Sequence, residues 1–193
     1  MRGRHLRAHS AMSGTMDIAR GYVTVNPKAV QGLVKVRFEL DWRDWHGCPV
    51  ETLWAAFVSG DPDRRKLRLE NSPFHATGVS YDDIVKAKPT EDPMVCQFEE
   101  VIARGGHSTY MLLVEEKEEE PPRFRFYWNL LKEKGCSYES AHLELSIGKR
   151  LLLSVDVPPS ADLFETFEVL QRGEADGVWM FQEGYAHLPS QRA

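Results

Sequence analysis

The stretch HLELSIGKRLLLSVDV, from His142 to Val157, decides the fold. It reads as two strands, His142 to Ile147 and Leu151 to Val157, turned through the two-residue hairpin signal Gly148-Lys149. Upstream, Arg123 to Lys134 places Phe124, Tyr127, Trp128 and Leu131 on one helical face, with Gly135 as its stop. Before that helix, Ser108 to Val114 is a strand. Downstream, Pro158-Pro159-Ser160 opens a second helix with Ser160 as N-cap, a stripe of Leu163, Phe164, Phe167 and Leu170, and Gly173 as its end. Val178 to Gln182 is a final strand. The order strand, helix, strand, strand, helix, strand predicts a ferredoxin-like βαββαβ module over residues 105–193.

The preceding region has a different rhythm. Val34, Val36, Phe38 and Leu40 alternate with polar neighbours, the mark of a half-buried strand. Glu51 to Val58 is apolar on both faces and reads as a buried strand, Lys66 to Glu70 as its return partner. Tyr81 to Ala87 and Val95 to Ala103 complete five short strands, which predict a small β-barrel-like module over 33–104. The fold class is therefore α+β, the barrel-like module first and the ferredoxin-like one after a seam at Gly105-Gly106. Residues 1–32 carry Arg2, Arg4, Arg7, Arg20 and Lys28 against Asp17, a net of +4, and read as a disordered basic arm. Met12 and Met16 offer later starts, so residues 1–15 are not assigned to the native chain.

Composition bounds the function. Of 193 residues, 42% are apolar and 27% charged, which excludes a disordered or collagen-like chain. The net charge of −5, with −9 beyond the arm, argues against nucleic acid as a partner, since binding a phosphate backbone requires a basic footprint. No apolar run approaches the ~20 residues that span a bilayer, so no membrane partner is expected. Cys48, Cys96 and Cys136 are odd in number and scattered, which fits reduced thiols in a cytoplasmic protein. No CxxC pair, phosphate loop or dinucleotide fingerprint occurs, and neither a cofactor nor a metal is expected.

Several ordered pieces resemble one bacterial family, the domain of unknown function 4265. They are Glu51-Thr52-Leu53-Trp54-Ala55; Asn71-Ser72-Pro73-Phe74 leading to Gly78-Val79-Ser80 and Asp83; Gly106-His107-Ser108-Thr109; Gly135-Cys136 with Glu139; and Val157-Pro158. The resemblance spans about residues 33–188 and supports those fold boundaries. It brings no established activity.

The densest turn chemistry runs from Asn71 to Asp83, where Asn, Ser, Pro, Gly and Asp favour tight backbone turns. It reads either as a polar loop that cradles a ligand or as a structural crossover that closes the barrel and buries Phe74. The paired glycines before His107 let backbone approach a ligand, and imidazole titrates near neutrality. The ligand-binding candidates are accordingly Asn71, Ser80, Asp83, His107, Ser108 and Thr109, beside an inter-module cleft. No complete catalytic constellation is present, and whether the chain is an enzyme stays open. The leading expectation is a cytoplasmic binding or accessory protein that engages a small ligand or a protein partner.

Two alternatives stand beside it. His75-Ala76-Thr77 and His107-Ser108-Thr109 are two His-x-Thr units, the pattern a metal-independent phosphoesterase uses for an acid–base pair and phosphate-holding hydroxyls. Trp179 and Phe181 lie in the last strand and could form an aromatic face for self-association, with oligomeric state open. His46-Gly47-Cys48, with Asp44 and either His75 or His107, has metal-ligand residue types without an established spacing, and reads as a surface loop with a free thiol. Cys136 reads as core.

Overall fold

The computed structural model describes residues 16–17, 22–23, 32–61, 63–116, 121–145 and 148–188. The expected disordered arm over 1–32 lies outside the described residues, except for Gly32 and two short strands. In chain order the elements are β1 (Met16–Asp17), β2 (Tyr22–Val23), β3 (Leu33–Glu39), β4 (Val50–Asp61), β5 (Arg64–Leu69), β6 (Ile84–Pro89) and β7 (Val95–Ala103). There follow β8 (Ser108–Glu115), α1 (Pro122–Glu133), β9 (Ser137–Leu145), β10 (Gly148–Val157), α2 (Leu163–Ala175) and β11 (Met180–Tyr185). The molecule is α+β, with a five-stranded barrel, a second sheet and two helices.

Strands β3 to β7 pair in sequence, each antiparallel to the last, and β7 closes the barrel in parallel on β3 through Val36↔Cys96. Strand alternation fills its interior, because side chains of period two point to one face. Val36, Phe38, Leu53, Ala55, Leu67, Leu69, Val85, Ala87 and Cys96 form this core. The expectation that Glu51 to Val58 is buried on both faces is corrected. Past a bulge between Phe57 and Ser59 the strand runs into solvent, leaving Phe57 and Val58 exposed. Strand β6 begins at Ile84 rather than Tyr81, because Asp82 takes φ 64° and Asp83 folds back onto the Ser80 amide.

The second sheet has the order β11-β8-β10-β9-β1-β2, with each neighbouring pair from β11 to β9 antiparallel and β1 parallel to β9. Tyr110, Leu112, Val114, Leu153 and Val155 face the helices, where they meet Phe124, Tyr127, Leu131, Val169 and Leu170. The alternate residues Met111, Ala141, Leu143 and Leu152 face the other way and receive Phe74 from the barrel side. The chain crosses between sheets at Gly105, whose amide donates to Asp83 Oδ1 at 3.0 Å.

Several helix and strand boundaries differ from expectation. Strand β10 begins at Gly148, so Gly148 and Lys149 pair with Leu145 and Glu144 and are not the hairpin turn; β11 begins at Met180 rather than Val178. Helix α2 is capped by Asp162, which accepts from the Glu165 amide, not by Ser160. It also continues through Gly173 to Ala175. Strand β9 starts at Ser137, ahead of His142. The aromatic face of the last strand is an inner face. Trp179 is 3% exposed, its indole N–H donates to the Leu170 carbonyl, and Phe181 packs edge-on to Phe167. Trp179 thus lies ahead of β11 and is buried, while Phe181 is half-buried. No helix among the described residues is long and apolar enough to cross a membrane.

Candidate functional site

The Asn71–Asp83 segment latches the barrel to the second sheet. Asn71 Oδ1 accepts from the Trp54 amide at 2.7 Å. Asp83 is fully buried and accepts from the amides of Ser80 and Gly105 and from Arg104 Nη1 at 2.8 Å. Thr109 Oγ1 donates to Ser80 Oγ at 2.9 Å, Ser108 Oγ accepts from the His187 amide, and Ser154 Oγ donates to the Pro73 carbonyl. Buried polar groups require such partners, and these bonds supply them. The candidate ligand residues Asn71, Ser80, Asp83, Ser108 and Thr109 are all buried and hydrogen-bonded within the protein, and Phe74 is buried.

His107 stands apart from that set. Its Nδ1 lies 2.8 Å from Asp156 Oδ1, and its ring meets Tyr81 edge-on at 5.0 Å. Burial alone would lower its pKa, but the hydrogen bond and charge of Asp156, with Asp82 and Asp83 adding, carry it above the ordinary value.

A second group gathers where the two sheets face each other. Glu51, on β4, is buried and accepts from the consecutive amides of Phe74, His75 and Ala76 at 2.7, 3.0 and 2.7 Å. Burial raises its pKa against those bonds, which lower it. This clamp fixes the backbone turn that carries His75 into the wall of a cavity of about 220 Å³. Asp44, Trp45, His46 and Thr77 line it from the barrel side, and Met111 and Gln182 from the second sheet. Trp45 Nε1 donates to Gln182 Oε1 at 2.8 Å, tying the β3–β4 loop to β11. The His46 and His75 rings lie 4.6 Å apart, with the Trp45 ring edge-on to both.

Burial disfavours the charged form of both imidazoles. Burial lowers the His46 pKa; burial and then the His46 charge bring His75 down to about 4. The Cys48 amide donates to His46 Nδ1, and Cys48 Sγ sits 3.9 Å from His75 Nε2. Burial, with the Glu51 charge, pushes the Cys48 thiol up, so this pair holds no thiolate at neutral pH. His75 Nδ1 is buried without a hydrogen-bond partner. Among the described residues no group of three or more His, Cys, Asp or Glu side chains is arranged to hold a metal.

The His-x-Thr pairing is not assembled at this cavity. His75 and Thr77 line it, whereas His107 is bonded to Asp156 and Thr109 is buried against Ser80. The structure brings together His46, Cys48 and His75, with Asp44 beside them, from the loop first read as surface. Sequence reasoning missed Gln182 and the bridging role of Trp45. Trp45 carried a signal, an indole in a polar loop; Gln182 carried none, being 137 residues away. Cys136 is buried, as read.

A family model described as "Domain of unknown function (DUF4265)" matches residues 51–181. No curated protein compared matches the chain. Among solved structures, the chain is similar to "Novel crystal structure of a hypothetical protein from Neisseria gonorrhoeae", with a TM-score of 0.58 and 18% identity over 82% of this chain and 96% of that one. That likeness concerns the fold.

Proposed function

The chain belongs to the family described as domain of unknown function DUF4265, and from that premise we propose a non-enzymatic accessory protein that binds a small ligand in the cleft between its two modules. The modules are the barrel, residues 33–104, and a ferredoxin-like unit, residues 105–193, the latter supported by the antiparallel order β11-β8-β10-β9 with α1 and α2 on one face. Three unpaired cysteines suit a cytoplasmic setting. The ligand residues first read on the latch give way, within this proposal, to Asp44, Trp45, His46, His75 and Thr77; His107 is kept as the paired titrating group at the seam.

The observation that carries the proposal is His75. It is 5% exposed, stands in the cavity wall and leaves Nδ1 unpartnered. An orphaned buried polar atom costs ~1–3 kcal/mol unless something bonds it. A ligand in the cleft supplies that partner. The Cys48 thiol, raised by burial, supplies no thiolate nucleophile, which favours binding over catalysis.

A fragment screen by ligand-observed NMR on the full chain, mapped through the Trp45 indole N–H resonance, tests this. Expected are hits that shift Trp45 and lose at least about tenfold in affinity in His75→Ala, the scale of one lost buried hydrogen bond. Hits that leave Trp45 unmoved, or bind His75→Ala equally well, would overturn the proposal.

A further inference from the structure

The cleft's walls differ in kind from its floor. Glu39, Asp41 and Asp44 line it, and no Lys or Arg does. Arg43 answers Asp41 through two bonds of 2.9 Å, leaving Asp44 with His46 Nε2 at 3.9 Å as its nearest ionic neighbour in the cleft. Because burial disfavours the charged form of that imidazole and of His75, the cleft carries carboxylate charge without an internal counter-charge from its histidines. Aromatic rings form part of the remaining wall, beside Leu40, Met111 and Gln182. Phe38 and Phe98 stack at 4.6 Å, and Trp45 is 47% exposed at the mouth.

We infer that the ligand is a small organic cation, an alkylammonium or alkylguanidinium, with its charge beside the Asp44 and Glu39 carboxylates and its hydrocarbon against Trp45 and Phe98. This rests on the cleft being the binding site proposed above. A cation over an indole face is attracted by the ring quadrupole, and nearby carboxylates add to that attraction. The His75 imidazole, with a buried ring nitrogen that has no partner, stands in the same wall. An anion would be repelled by the Glu39 and Asp44 carboxylates, and a neutral ligand would gain nothing from their charge. A bare metal ion needs several converging ligands, and the described residues offer no such group. An organic cation, with its charge spread and its stem apolar, needs only one carboxylate and an aromatic wall.

The test uses the full chain labelled with 15N and follows the Trp45 indole N–H, assigned with Trp45→Phe. The probes are n-butylammonium, choline and n-propylguanidinium, beside neutral n-pentanol and 3,3-dimethylbutan-1-ol, and butyrate. At least one cation should shift and saturate Trp45 with an affinity about tenfold or more above its neutral isostere. Asp44→Asn should weaken that cation and leave the neutral compound unchanged. If neutral compounds or butyrate bind at Trp45 as well as the cations do, the cleft stands as a site and the charge inference is overturned. If no probe of any charge moves Trp45, the inference fails along with the cleft.

Discussion

Glu139 accepts a hydrogen bond from the Ser72 amide across the seam, and burial, with Glu51 and Asp156 adding, pushes its pKa up to about 7 from an ordinary 4.5. The folded state therefore holds this proton more tightly than the unfolded chain does. The resulting stabilisation is complete below about 4.5 and is lost as pH rises through 7. His107 acts in the same direction, since its folded value is also raised: its contribution is full below the ordinary 6.5 and fades as pH climbs above it. Glu139→Gln keeps an acceptor for Ser72 and removes the buried charge. It should raise the Tm by several degrees at pH 8 and change it little at pH 4.5, read by thermal denaturation at both values. An equal shift at both would show that charge is not the cause. The titrating character of His107 was legible in its glycine-flanked setting. Its partner was not, because Asp156 lies 49 residues away and only strand pairing brings it near.

At the scale of elements, α2 shows how a local signal is overruled. Gly173 reads as a helix stop, yet the helix runs past it. A Cβ at that position would overlap the Trp179 ring, so the glycine is there for close packing. Propensity and packing then make opposite predictions for Gly173→Ala. Helix propensity alone favours alanine by ~1 kcal/mol. Overpacking against a buried, hydrogen-bonded indole costs ~1–3 kcal/mol. Urea denaturation should show net destabilisation and a change in near-ultraviolet tryptophan signal; a stabilised variant would mean that Trp179 yields freely. The strictly alternating apolar residues of β3 give its inward face directly, with Val36 and Phe38 buried, and the bounds of β7 agree with expectation. Boundaries set by side-chain caps and turns, such as Asp162 over Ser160, depended on which of several competent residues the tertiary path selects.

Across the whole molecule, Phe74 is the apolar contact of the latch, beside hydrogen bonds such as Trp45 to Gln182 and Ser154 to Pro73. It leaves the barrel's latch and packs on Met111, Ala141, Leu143 and Leu152, the sheet face that the helices leave uncovered. Phe74→Ala should cost ~3–5 kcal/mol through lost burial and the cavity left behind. Tryptophan fluorescence and far-ultraviolet circular dichroism should still report one coincident urea transition, moved to a lower midpoint. Two separated transitions would show instead that the barrel and the helix-covered sheet fold independently.

Periodicity along the chain determined the order of β3 to β11 and the two helices, the α+β class and the place where barrel gives way to helix-covered sheet. These follow from local rules, two residues per strand repeat and 3.6 per helical turn, which need no knowledge of distant neighbours. Only the folded arrangement decided which polar residues are left available. Asn71, Ser80, Asp83 and Thr109 have the chemistry of a ligand site, but burial obliges them to bond one another and the adjoining backbone. Trp45, His46, His75 and Gln182 form a cleft because a loop, a clamped turn and a distant strand converge there. Burial and convergence are properties of three-dimensional packing, and no spacing within the chain encodes them.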